Sequence, residues 1–145
     1  MESLLAESAR VQVARFAGEL PPPASPGSPL AERTRAIVRR WSSLHEHVAP
    51  VRRVALLYEP FSEVVAGRLA WIRRVVRTEV ESTFDPEFAL RDSGTRPRVV
   101  ASLCTCFSWE TWNELRARQG LDAQEAEATL VDMVGALLAG MPGGK

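Results

Sequence analysis

Apolar residues recur along this chain at helical spacing, and no segment shows the strict alternation of a strand. From Leu30, the residues Thr34, Ile37, Trp41, Leu44, His45 and Val48 fall on one face at about 100° per residue. Ser28 and Pro29 precede this run as an N-cap and a first-turn proline. Pro50 is expected to interrupt the helix and leave a short apolar segment, Val51 to Tyr58, ahead of Pro60. A second long helix is expected from Phe61 to Phe84, with Phe61, Val64, Val65, Leu69, Ile72, Val75, Val76 and Val80 along one arc. The stretch "FDPEFALRDSG" reads as its end, a short turn of helix and a loop. Arg96 to Gln119 reads as one helix stopped by Gly120. Asp122 caps the last helix, with Glu125 three residues on in a capping-box pattern. That helix runs to about Ala139 and ends at Gly140, Pro142 and Gly143.

At the other end, Glu2 to Ala17 carries Leu4, Leu5, Val11 and Phe16 at roughly helical spacing. Between it and Leu30, the five prolines of "ELPPPASPGSPL" exclude regular helix and define a loop over residues 19–29. The pattern predicts an all-α chain of six or seven helices, with no internal repeat. Its length of 145 residues suits a single domain with a real core.

Two helices carry more apolar surface than one core requires. On a helix from Arg96 to Gln119, Val99, Val100, Leu103 and Phe107 share a stripe of about 100°. Trp109 and Trp112 lie about 60° from each other on the opposite side, with Thr105 and Arg116. On the last helix, Ala123, Ala126, Leu130, Val131, Met133, Val134, Leu137 and Leu138 span about 160°, wider than an ordinary core-facing stripe. Either another helix of the chain covers these second faces or a second subunit does. The sequence reading favours a homodimer, its interface drawn from Trp109, Trp112, Arg116, Leu130, Met133, Val134 and Leu137.

Composition and charge remove several function classes. Basic and acidic residues number 18 each, so no global field pulls the chain onto nucleic acid or a membrane. No apolar run reaches the ~20 residues of a membrane span. The start lacks the cationic head and apolar core of a secretion signal. With two cysteines as well, the expected location is the cytoplasm. Cys104 and Cys106 point about 160° apart on one helix, so they cannot converge on one metal ion and make a poor disulfide pair. They read as small buried hydrophobes. "HEH" is no metal pair, because His45 and His47 lack the i, i+4 spacing that brings two ligands together. Without a glycine-rich phosphate loop, a nucleophile elbow or a metal-spaced set, the sequence suggests no enzyme, no metal and no cofactor.

Several stretches resemble the C-terminal domain of TetR-type bacterial transcriptional regulators. They are "ESLLAESARVQVAR", "RRVALLYEPFSEVVAGRLAWIRRVVRTEVESTFDPEF" and "FSWETWNELRARQGLDAQEAEATLVDMVGALLAG". The most specific is the W-x-x-L-R-x-x-Q-G-L run, followed by an acidic capping segment and an apolar last helix. The resemblance implies a multi-helix orthogonal bundle that binds a small molecule, and the large apolar lining offered by Trp41, Phe61, Ile72, Leu103 and Phe107 points to a small apolar or aromatic effector. It also implies a dimer through the last two long helices, which together form a four-helix bundle. The family's three-helix DNA-binding unit would precede Glu2. The chain therefore reads as a regulator without its reader, unable to recognise specific DNA by itself, while a full-length parent would bind operator DNA. The alternative is a stand-alone helical protein-interaction domain.

In such a bundle the ligand lies between core-facing helices. The candidate ligand-binding residues are Trp41, His45, Val48, Tyr58, Phe61, Val65, Arg68, Ile72, Leu103 and Phe107. His45 and Tyr58 are polar groups able to orient a guest, although His45 also fits an ordinary satisfied core histidine. Arg68 and Glu79 fall in the apolar arc of their helix, where a buried charge needs a partner. Pairing with neighbouring helices is the favoured reading, and Arg68 meeting an acidic ligand the other. The arginines of "RRVALLYEP" and "WIRRVVR" read mostly as a solvated face.

Overall fold

A computed structural model describes Glu7 and residues 18–141. The helix expected over Glu2 to Ala17, and the expected stop at Pro142 and Gly143, lie outside the described residues apart from Glu7. Six α-helices and no strand occur among the described residues: α1 (Leu30–Tyr58), α2 (Glu63–Thr83), α3 (Asp85–Ala89), α4 (Arg96–Cys106), α5 (Trp109–Asn113) and α6 (Ala123–Ala139). None of them is long and apolar enough to cross a membrane.

The first departure from expectation is at Pro50, which lies inside the 29-residue helix α1 rather than ending it. A proline has no N–H for the carbonyl four residues back, here that of Glu46. Glu46 and Pro50 are both exposed, so water can take the place of that bond. Buried Trp41 and His45 before the proline and Arg52 after it keep one face inward across the break. Tertiary packing thus overrides the local preference. The start of α1 also shifts by one residue. Pro29 occupies the cap position, and the Ser28 carbonyl accepts from Arg33 Nε at 2.9 Å.

Phe61 is likewise not the start of α2. It closes a short 3₁₀ turn, Glu59–Phe61. Ser62 caps α2, its hydroxyl accepting from the Val65 N–H at 3.3 Å.

The second large departure divides the expected helix Arg96 to Gln119. α4 stops at Cys106, and Ser108 adopts an extended conformation (ψ 154°) before α5 begins. The Ser108 hydroxyl accepts from the Thr111 N–H at 3.2 Å and donates to the Thr105 carbonyl at 2.7 Å. A serine so placed offers the backbone an N-cap in competition with a continuous helix. The turn re-aims everything after it. Trp112 is 1% exposed and Trp109 4%, both within the core of the same chain. A π-helical turn, Glu114–Arg118, follows, and Gly120 at φ 73° ends the segment. Only glycine takes that conformation without strain.

The capping box at α6 forms as its residues dictate: Asp122 accepts from the Glu125 N–H at 2.8 Å and Glu125 reaches back to the Asp122 N–H at 3.1 Å. One stripe of α6, Ala126, Leu130, Val134 and Leu138, is buried against α1 and α4. It joins Ile37, Val38 and Trp41 of α1, Val76 and Val80 of α2, and Val100, Leu103 and Phe107 from α4 and its end. Each such fully buried aliphatic side chain contributes about 1.5–3 kcal/mol relative to exposure. Ser42 donates to Glu127 at 2.6 Å and pins α1 to α6.

Candidate functional site

A cleft of about 810 Å³ opens between α1, α2 and the α4–α5 junction. Trp41, Leu44 and Val48 of α1 face Leu69, Ile72 and Val76 of α2, with Phe107 and Trp109 from the junction. The helical period puts these residues on one wall each, which makes the lining mostly apolar. A smaller cavity of about 530 Å³ lies under the proline-rich loop, lined by Pro23, Pro26, Ile37 and Glu79 among others. Arg40 holds that loop in place by donating to the Pro21 carbonyl at 3.0 Å.

His45 lies in the cleft wall between two indoles. Its ring centroid is 6.1 Å from Trp41 and 6.0 Å from Trp109, the latter edge-on. Nε2 is 2.9 Å from the Phe107 carbonyl, which can only accept, so the ring proton sits on Nε2. Burial pushes the imidazole down from its ordinary 6.5 to about 4, against the pull of the Phe107 bond, and the nearby charge of Arg52 lowers it further. The ring is therefore neutral, a satisfied part of the wall, with its donor already committed.

The ionic groups of the cleft divide unevenly. Arg40, Arg52, Arg68, Arg73, Arg74 and Arg77 face Glu79 and Glu110. Arg40 pairs with Glu79 at 3.0 Å, Arg73 with Glu59 at 3.0 Å and Arg77 with Glu81 at 3.1 Å. Burial raises the Glu79 carboxyl, while Arg40 opposes that rise. Arg68 stacks its guanidinium 4.4 Å from the Trp71 ring centroid. Arg52 is the one fully buried arginine of the six. It is 8% exposed, and its Nε, like that of Arg68, makes no hydrogen bond. Glu110 and Glu59 act on it only as charges at longer range, and Arg73 repels it.

Of the residues expected to bind a ligand, Trp41, His45, Val48, Arg68, Ile72 and Phe107 lie together on this cleft. Tyr58 and Phe61 do not: they are exposed, Phe61 by 84%, one at the last residue of α1 and the other in the turn that follows it. Val65 and Leu103 also lie off it, with Leu103 sealed in the core. The reading of "RRVALLYEP" as solvated holds for Arg53 and fails for Arg52. The missed signal was spacing. Trp41, His45, Val48 and Arg52 follow i, i+4, i+7, i+11, but a helix ended at Pro50 cuts Arg52 out of that stripe.

The residues assigned to a subunit contact are placed differently from expectation. Trp109, Trp112, Leu130 and Val134 are buried within the chain's own core, because the Ser108 turn swings both indoles inward. Trp112 donates from Nε1 to Glu46 at 2.9 Å, and Arg116 donates from Nε to the same carboxylate at 2.6 Å. Arg116 also donates to the Leu121 carbonyl at 2.7 Å. The Arg116 bond, ahead of that from Trp112, holds the Glu46 carboxyl below the usual carboxylate range. Leu137 is half-buried and Met133 exposed.

The cysteines are free, and burial raises both thiols, so neither is a ready thiolate. Among the described residues no three His, Cys, Asp or Glu side chains are grouped to hold a metal ion. What the cleft offers chemically is an apolar wall, a neutral histidine and a desolvated cation. Compared with known proteins, the chain matches no family model, no curated protein and no solved structure.

Proposed function

We propose that this chain is the effector-binding domain of a TetR-type regulator, taking a small, mostly apolar molecule into the cleft between α1, α2 and the α4–α5 junction. The observation that carries the reading is the cleft itself, whose size and apolar lining with few polar groups suit a small-molecule site. The family assignment rests on the sequence resemblance. In the full-length regulator a ligand would act by binding one arrangement of the dimer better than another. The signal would leave through Glu2 to Ala17 toward the DNA-reading unit. The chain alone, with its balanced charge, binds no specific operator. Its role is binding in the cytoplasm and not catalysis.

A thermal-shift screen of hydrophobic metabolites tests this, since a ligand at about 100 times its dissociation constant adds roughly 2.7 kcal/mol. Hits should weaken in Ile72→Ser and be unchanged in Phe61→Ser. Hits that bind both variants equally well put the site elsewhere.

A second reading, self-association, is favoured by one observation. Val51, Val54, Leu57, Tyr58, Phe61 and Val64 are exposed around the corner between α1 and α2. The occupant proposed for this corner is a second copy of the chain, because a two-fold contact needs only one such patch meeting itself. Sedimentation equilibrium should give a dimer that Phe61→Ser dissociates. A dimer lost in Met133→Glu and kept in Phe61→Ser assigns the contact to α6 instead.

A further inference from the structure

Arg52 is a buried guanidinium with nothing to hold. A cation removed from water is stable only when its donors are met by an acceptor. Arg40 meets that need through Glu79, and Arg68, only half-buried, lies over the Trp71 ring. Arg52 reaches no carboxylate or carbonyl of the described residues, yet more than nine-tenths of it is out of solvent and it lines the cleft. Six arginines and two carboxylates line that wall, and with Arg73 and Arg77 paired to Glu59 and Glu81 beyond it a positive excess remains, so the local field favours an anion. The rest of the lining is mostly apolar; His45 gives its proton to Phe107, and Trp41 Nε1 is a neutral buried donor without a hydrogen bond.

We infer that the guest of this cleft is an amphipathic carboxylic acid, its carboxylate seated on Arg52 and its apolar tail along Trp41, Ile72 and Phe107. The inference rests on the cleft being a ligand site and adds the chemical class of the ligand. A guanidinium presents two parallel N–H donors that match the two oxygens of a carboxylate. One desolvated cation calls for one negative charge, and the apolar wall calls for a hydrocarbon or aryl body. A neutral molecule of the same shape would leave Arg52 without an acceptor, and the site would discriminate against it for that reason.

The experiment compares octanoate, decanoate, dodecanoate and phenylbutyrate, each beside its own alcohol, by calorimetric titration of the wild-type chain, Arg52→Met and Arg52→Lys. In the wild type the best acid should bind at least about tenfold more tightly than its alcohol, the ratio expected for one charge-assisted contact. Arg52→Met should bring acid and alcohol to similar affinity while keeping alcohol binding. Arg52→Lys should preserve the preference for the acid at reduced strength. Equal binding of acid and alcohol by the wild type overturns the assignment of the head group while leaving the cleft a ligand site. Retention of the acid preference in Arg52→Met also overturns it and moves the carboxylate to another arginine. If no acid and no alcohol binds the wild type, the reading of the cleft fails and the inference with it. Should Arg52→Met not fold, the Arg52→Lys comparison decides by the same acid-to-alcohol ratio.

Discussion

α1 carries two buried arginines in opposite circumstances. Arg33, at its N-terminal end, is 6% exposed and saturated: it donates to the Ser28 carbonyl at 2.9 Å, to the Thr83 carbonyl and to both oxygens of Glu87. It ties the loop, α1, the end of α2 and α3 into one knot. Arg52, near the other end, is as deeply buried and has no such bond. Burial therefore does not distinguish a structural arginine from a binding one; the count of acceptors does. At Arg33 the fold supplies the acceptors. At Arg52 it supplies only a cavity.

The largest expected effect breaks the saturated site. Arg33→Met removes one partner of a buried pair and strands Glu87, whose carboxyl that guanidinium holds below the usual range. The loss should be about 3 kcal/mol, read as a lower urea midpoint at unchanged slope.

Acid should weaken the cleft end by a comparable amount. The unfolded imidazole of His45 binds its proton below about 6.5, the folded one only below about 4. Between those values the unfolded chain holds more protons, so stability falls as the pH drops through the window. The maximum loss is about 3 kcal/mol. Arg52, Glu46 and Glu110 are the charges acting on this ring, and burial outweighs them. His45→Gln should flatten the slope, and a slope unchanged in that variant would mean that other groups set it.

Arg52→Met should do the reverse of Arg33→Met and leave the unliganded protein equally stable or more stable by about 1 kcal/mol. A loss as large as that at Arg33 would erase the contrast between the two sites. The smallest effect is expected at the exposed corner. Phe61→Ser should shift stability by no more than about 0.5 kcal/mol in the monomer.

How much of this was legible depended on how local the chemistry was. Asp122, Glu125 and Gly120 act within one turn of themselves, and their capping box and left-handed stop followed from identity and spacing alone. Glu79 in an apolar arc signalled a cross-helix partner, and Arg40 is that partner. One serine inside an unbroken apolar helical period is a weak signal, and Ser108 did not stand out as a cap. An unbroken helix would turn Trp109 and Trp112 outward, whereas the structure buries them beside Glu46 and His45. Pro50 is the opposite case. It is a strong local breaker, yet packing on both sides keeps α1 whole and returns Arg52 to the cleft stripe. The acceptors of Arg33 lie five to 54 residues away along the chain, and no periodicity encodes them.

The unequal burial of the two thiols gives the cleft a chemical clock. Cys104 is half-buried in its wall, while Cys106, two residues on, is turned into the core. Alkylation by a small maleimide should proceed in two phases, slow at Cys104 because burial disfavours its thiolate and slower still at Cys106. A guest that fills the cleft covers the first sulfur and not the second. The ratio of the two rates then reads occupancy directly, residue against residue, in one unheated sample and without a label on the ligand.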